Sequence, residues 1–85
     1  MRDNGVVMSC EPILSYLARA YEKNPEAEVS GPELQFELGL PRAHVDACVR
    51  LLARDGLVEW DPLLSNTWLR ITDKGLAVAS DARRG

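Results

Sequence analysis

The sequence predicts a small α+β domain that is mostly helical, with three helices, a β-hairpin and a short C-terminal helix. In the first half of the chain, apolar residues recur at three- and four-residue steps, which is the period of a buried helix face. Proline and glycine stand at the expected starts and ends of these segments. From Leu57 to Thr72 the pattern changes to two short β-prone runs about a turn, which is typical of a hairpin.

The first helix is predicted to begin at Ser9, whose hydroxyl can cap the free N–H groups of the first turn. Glu11 and Pro12 follow, and both are favoured in a first turn. Its apolar stripe comprises Ile13, Leu14, Leu17, Ala18 and Tyr21. The helix is expected to end at Asn24-Pro25, because a residue that precedes proline is disfavoured in the α region.

The second helix is short, and its start is the clearest in the chain. Ser30 is predicted to be the N-cap and Glu33 the third helical residue, which together form a capping box. Leu34 and Leu38 lie one turn apart on its apolar side, and Gly39 follows as a C-terminal stop. Phe36 lies off that side, so we expect it to pack against a neighbouring element.

The third helix is predicted to begin at Pro41 and to stop at Gly56. Its inward stripe comprises Val45, Cys48, Val49 and Leu52. Only Gly39-Leu40-Pro41 separates it from the second helix, and two helices joined by so short a turn form a helix-turn-helix arrangement.

The hairpin is predicted to pair residues 57–60 with residues 67–72. The second run alternates, with Leu69 and Ile71 on one face and Trp68 and Arg70 on the other. Thr72 can then cap a last short helix that extends to Ala79.

Length and composition predict one globular domain. Its 85 residues are 46% apolar and 27% charged, which is the ordinary globular range. We expect a flexible N-terminus over residues 1–8, a folded domain over 9–80 and a flexible tail over 81–85. No run approaches the ~20 apolar residues of a membrane span, and the apolar part of MRDNGVVMSC is shorter than a secretory signal needs.

The two cysteines, Cys10 and Cys48, are far apart and form no C-x-x-C motif. A small secreted domain usually carries more cysteines than this, so we expect reduced thiols and a cytoplasmic protein. On this interpretation Cys48 is a small buried apolar residue.

The order of the elements resembles the winged helix-turn-helix domains of bacterial transcription regulators, in the general pattern of the MarR, ArsR and PadR families. The matching positions are Leu34, Leu38, Gly39-Leu40, Val45, Val49, Leu52, Gly56-Leu57-Val58 and Ile71-Thr72-x-x-Gly75. The match covers about residues 13–79, and the step of seventeen residues from Gly39 to Gly56 is its most specific part. The resemblance implies a three-helix bundle with a β-hairpin wing and a short C-terminal helix. It also implies DNA binding and transcription regulation, with the third helix in the major groove.

By position, the resemblance implies a DNA-facing set comprising Arg42, Ala43, His44, Asp46, Ala47, Arg50 and Arg54. The guanidinium groups of Arg42 and Arg50 match the geometry of both phosphate and guanine. The alternative is a solvated helix face on which Arg50 and Arg54 pair with Asp46 and Asp55.

Charge favours a second hypothesis, a winged-helix protein-interaction module with an acidic surface and little or no DNA binding. The net charge is -3, and the predicted hairpin tip, residues 61–66, has no basic residue. Residues 11–37 carry six acids and two bases, whereas residues 38–74 carry five of each, so phosphate contacts are expected only in the second half. Ala43, Asp46 and Ala47 also stand where such regulators usually have polar or basic side chains.

The two hypotheses imply different partners. The first predicts double-stranded DNA, and the second predicts a homodimer or another protein partner. The candidate protein interface comprises Trp60, Leu63, Leu64 and Trp68. One of the two tryptophans is expected in the core instead.

Metal and catalytic chemistry are not expected. His44 and Cys48 stand one helical turn apart and Cys10 is a conceivable third ligand, but no fourth ligand stands at a metal spacing. A single histidine and no glycine-rich phosphate loop offer no catalytic constellation, so we expect neither an enzyme nor a cofactor.

Overall fold

A computed structural model describes residues 4–60 and 68–84, with side chains described over residues 10–60 and 68–81. The elements in chain order are α1 (Asn4–Lys23), β1 (Val29–Ser30), α2 (Gly31–Leu38), α3 (Arg42–Arg54), β2 (Val58–Trp60), β3 (Trp68–Ile71) and α4 (Asp73–Arg84). These four helices and one three-stranded antiparallel sheet confirm the predicted α+β, mostly helical class.

Helix α1 is longer than predicted. It begins at Asn4, so Ser9 lies in its interior and is not the N-cap. Pro12 also lies inside the helix, where it lacks the N–H that would bond the carbonyl of Met8. The prediction was wrong because it depended on the preference of proline and acids for a first turn. Tertiary packing of the buried Cys10 stabilises the helical turn that precedes Pro12.

The predicted start of α2 and the turn that follows it are confirmed. The Ser30 Oγ accepts a hydrogen bond of 3.1 Å from the Glu33 backbone N–H. Gly39 ends the helix with φ 64°, in the left-handed region that glycine adopts without strain. Gly39, Leu40 and Pro41 form the whole connection to α3.

Helix α3 packs as the periodicity predicts. All four members of the inward stripe are buried: Val45, Cys48, Val49 and Leu52. Arg54 is the last helical residue, and Gly56 then takes φ 77°, which turns the chain directly into β2. The expected stop at Gly56 is therefore confirmed.

The sheet has the strand order β1-β3-β2, and both pairings are antiparallel. Strands β2 and β3 form the predicted hairpin, with Glu59 opposite Arg70 and Trp60 opposite Leu69. Strand β1 was not predicted, because two residues are too few to show an alternating pattern. It pairs Val29 with Leu69, which places the start of α2 against the hairpin.

Thr72 caps α4 as predicted and also bonds to the turn that follows α3. Its Oγ1 accepts a hydrogen bond of 3.0 Å from the Gly75 N–H and donates one of 2.6 Å to the Gly56 carbonyl. The helix then continues to Arg84. Residues 81–84, which were expected to belong to a loose tail, are therefore helical.

One apolar core joins these elements. Its most deeply buried large side chains are Ile13 of α1, Leu34 of α2, Val45 and Val49 of α3, and Leu69 of β3. Helix α3 packs against α1, α2 and β2, and these contacts hold its outward face in a fixed position.

Candidate functional site

The outward face of α3 carries most of the residues that the resemblance assigns to DNA. Ala43, Ala47, Arg50 and Arg54 are all exposed and follow at steps of four, three and four, so they form one stripe along the helix. The buried stripe around Val49 lies on the other side of the helix. We call these four residues and the neighbouring Arg42, which is also exposed, the α3 stripe.

Two arginines of the α3 stripe have no carboxylate partner in the part of the chain that the structure describes. Among the described side chains, Arg50 and Arg54 form no ion pair. The predicted pairings of Arg50 and Arg54 with Asp46 and Asp55 are therefore not formed, whereas the solvated helix face of that alternative agrees with the exposure of both arginines. Their forks point to solvent, where five N–H donors each are available to an anion.

Arg42 pairs with Asp46 instead. Its Nε lies 3.7 Å from the Asp46 Oδ2, and the two side chains are 83% and 47% exposed. An exposed pair of this kind is worth at most about 1 kcal/mol, since water and salt screen it. Asp46 therefore lowers the local positive charge, but it does not fix Arg42 in place.

His44 lies beside the α3 stripe and does not belong to it. The side chain is half-buried, and its Nε2 lies 3.7 Å from the Cys48 Sγ on the next turn. The step from residue 44 to residue 48 follows the side of α3 that leads into the core. His44, which the resemblance implies would contact a base edge, therefore lies at the flank of the helix and not on its outward face.

Cys10 and Cys48 form a disulfide, which contradicts the expectation of two reduced thiols. Their Cα atoms are 5.4 Å apart, and the bond joins α1 to α3. The sequence offers no local spacing for such a bond. It does offer an indirect signal, because Cys10 precedes Ile13 and Leu14 by one turn, and Cys48 belongs to the buried stripe of α3.

The disulfide also removes both sulfurs as thiolate ligands. Within the described ranges, no three His, Cys, Asp or Glu side chains are grouped so that they could hold a metal ion.

Of the helices described, none has the length and apolar character that crossing a membrane requires.

The described part of the hairpin carries two tryptophans in different settings. Trp60 is half-buried and packs against the core, whereas Trp68 is 41% exposed. Beside Trp68 lies Arg70, which is exposed and stands opposite Glu59. Leu63 and Leu64, the predicted protein-contact tip, lie outside the described residues.

A second surface, on α2, was not predicted. Phe36 is 84% exposed, so the expectation that it packs against a neighbouring element is wrong. The reason is its angular position: Leu34 and Leu38 face the core, and Phe36 falls on the far side of the helix. The sequence signal was available, since Phe36 stood off the apolar stripe of a short amphipathic helix.

A hydrogen bond between α1 and α2 supports this surface. The Tyr16 hydroxyl donates to the Glu33 Oε2 over 2.5 Å. This bond to a carboxylate, followed by partial burial and the negative charge of Glu33 and Glu37, raises the pKa of Tyr16 from 10.0 to about 12. The phenol therefore stays protonated and remains a donor throughout the physiological range.

Glu33→Gln is expected to return the pKa of Tyr16 toward 10.0, because a neutral amide no longer favours the protonated phenol. Ultraviolet difference titration of phenolate absorbance in a Tyr21→Phe background, where Tyr16 is the remaining tyrosine, measures it. Because the folded pKa lies above the unfolded one, the stability that this bond contributes is complete below pH 10.0 and is lost as the pH rises toward 12. Equal titration curves with Glu33 and with Gln at that position would contradict this assignment.

Comparison with known proteins gives no relative on which to base a function. No family model matches the chain, no curated protein matches it, and no solved structure matches it.

Proposed function

We propose that this protein is a winged-helix domain that binds double-stranded DNA through α3 and acts as a cytoplasmic transcription regulator. The observation that supports DNA binding is the α3 stripe, in which Arg50 and Arg54 are exposed and have no carboxylate partner among the described side chains. Ala43 and Ala47 lie on the same stripe. Their small side chains let the helix backbone approach a groove closely.

The order of elements supports the same proposal. Helices α2 and α3 are separated by three residues, and a hairpin follows α3. In this arrangement α3 is the recognition helix, which enters the major groove, and the hairpin is the wing. Arg70 is exposed on β3 and supplies the wing with a cation in its described part.

The charges indicate moderate affinity. Each phosphate that an arginine neutralises adds about 0.9 to the slope of log affinity against log salt concentration. Arg42 can exchange Asp46 for a phosphate at little cost, since the exposed pair is weak. Asp46 is then suited to accept from a cytosine amino group in the major groove. Two copies on neighbouring half-sites double the number of contacts, which favours a homodimer on DNA.

The cytoplasmic location follows from the proposed contact with DNA. In the cytoplasm, thiol reductants act on accessible disulfides. Cys10 and Cys48 are 3% and 2% exposed, so their bond is shielded from such exchange.

Arg50→Ala combined with Arg54→Ala is expected to weaken DNA binding at least about tenfold and to lower the salt slope by about 2. The measurement is fluorescence anisotropy of a labelled mixed-sequence duplex of about two helical turns, between about 50 and 200 mM salt. The loss is expected because both guanidinium groups are exposed on the same stripe.

Arg19→Ala is the matched control, since Arg19 is an exposed arginine on α1 and should leave affinity unchanged. No binding of the duplex at the lower salt concentration would overturn the proposal. So would equal affinity of the double variant and the unaltered protein.

A further inference from the structure

We propose that the outward face of α2 is a docking surface for a positively charged segment of another protein. This face, the α2 surface, comprises Pro32, Glu33, Phe36 and Glu37, all exposed. The proposal concerns a different helix from the proposed DNA contact and does not depend on it.

Phe36 is the apolar centre of the α2 surface. At 84% exposure it is the most exposed large apolar side chain among the described residues. Pro32 lies one helical turn before Phe36. Glu33 and Glu37, which are four residues apart, lie next to each other on one side of the Phe36 ring. An aromatic ring with charged residues beside it has the composition of a protein–protein interface, in which an apolar centre is surrounded by a polar rim.

Charge identifies the kind of partner. The six carboxylates between residues 11 and 37 are all exposed, and only Arg19 and Lys23 oppose them in that part of the chain. The α2 surface itself carries two acids and no base. A segment that bears lysine or arginine next to an apolar side chain complements both features.

A cleft beside the α2 surface can receive a long cationic side chain. It lies between α1 and α2 and has a volume of about 720 Å³. Its charged and aromatic lining residues are Tyr16, Arg19, Glu22, Lys23, Glu33 and Glu37. The Tyr16 hydroxyl holds the Glu33 carboxylate in position over 2.5 Å. The lining carries three carboxylates against the two cations Arg19 and Lys23, and both of its α2 carboxylates, Glu33 and Glu37, belong to the α2 surface. A lysine or arginine that enters the cleft from the α2 surface therefore meets these two carboxylates first.

The same charges exclude the other occupants. A second copy related by a twofold axis would place the α2 surface against itself, and Glu33 and Glu37 would then oppose their own counterparts. DNA would place phosphates against the same carboxylates. A basic protein segment is the occupant without such repulsion.

The test uses a labelled amphipathic helical peptide of lysine, leucine and alanine, about five turns long. Fluorescence anisotropy at about 50 mM salt is expected to show binding. Phe36→Ser should weaken it at least about tenfold, and Glu37→Gln should weaken it about threefold. Backbone amide shifts in nuclear magnetic resonance spectra should map the contact to α2 and the second half of α1. A peptide with glutamate in place of every lysine should not bind.

Val78→Ser is the matched control, because Val78 is 40% exposed on α4 and its removal should leave peptide binding unchanged. Thermal melts should show that Phe36→Ser folds, as its side chain is outside the core. The Arg50→Ala, Arg54→Ala variant should keep peptide binding, which separates this test from that of DNA binding.

Several outcomes would overturn the proposal. Absence of peptide binding, or equal binding by Phe36→Ser, removes the surface as a docking site. A dimer in sedimentation equilibrium that Phe36→Ser dissociates would identify a second copy as the occupant. A loss of duplex binding in Phe36→Ser would assign the α2 surface to DNA.

Discussion

Reduction of the Cys10–Cys48 disulfide is expected to lower the free energy of unfolding by about 3–4 kcal/mol. The bond closes a loop with a sequence separation of 38, and loop closure of that length restricts the unfolded chain by about this amount. A domain of this size has a total stability on the order of 5–10 kcal/mol. The disulfide therefore contributes a large part of the total stability.

Urea unfolding followed by circular dichroism measures this effect with and without a phosphine reductant. The matched control is Cys10→Ala with Cys48→Ala, which keeps both positions apolar and should be insensitive to the reductant. Alkylation of the unreduced protein under denaturing conditions should label no cysteine, since both described sulfurs are in the bond. Two labelled thiols, or an unchanged urea midpoint on reduction, would contradict the assignment.

Features set by local chemistry were predictable from the sequence. The cap at Ser30, the stop at Gly39 and the cap at Thr72 each depend on residues within three or four positions of one another. The buried stripe of α3 followed from its period alone.

Features set by distant contacts were not predictable in this way. The disulfide depends on how α1 and α3 pack, which spacing along the chain does not record. Strand β1 exists because β3 offers it a partner, not because Val29 and Ser30 show a pattern of their own. The start of α1 was misplaced for the same reason, since the buried Cys10 lies upstream of Pro12.

The candidate site shows the same division. Periodicity is enough to place Arg50 and Arg54 on an outward stripe. It does not place His44, which the resemblance assigned to DNA by position but which lies near the Cys48 sulfur. The pairing of Arg42 with Asp46 follows a four-residue step, yet which of the nearby arginines takes that carboxylate depends on the folded helix.

Gly75→Ala is expected to destabilise the protein by about 2 kcal/mol, although alanine is the better helix former. Gly75 is buried in the first turn of α4. A Cβ there would overlap the Leu57 carbonyl oxygen and lie 2.7 Å from the Ile71 Cγ1. That carbonyl accepts a 3.0 Å hydrogen bond from the Thr72 N–H, so it cannot move away without breaking the bond.

Two opposed effects decide the sign of this change. Alanine gains about 1 kcal/mol over glycine in helix propensity, whereas forcing a methyl group into a packed site costs on the order of 1–3 kcal/mol and sometimes more. Overlap with a fixed backbone oxygen belongs at the upper end of that range, so the loss exceeds the gain.

Ala77→Gly, at an exposed position of the same helix, measures propensity alone and should cost about 1 kcal/mol. Glycine is thus expected to be the more stable choice at position 75 and alanine at position 77, as urea unfolding of both variants can show. A stabilising Gly75→Ala would mean that α4 does not pack this closely against the turn after α3.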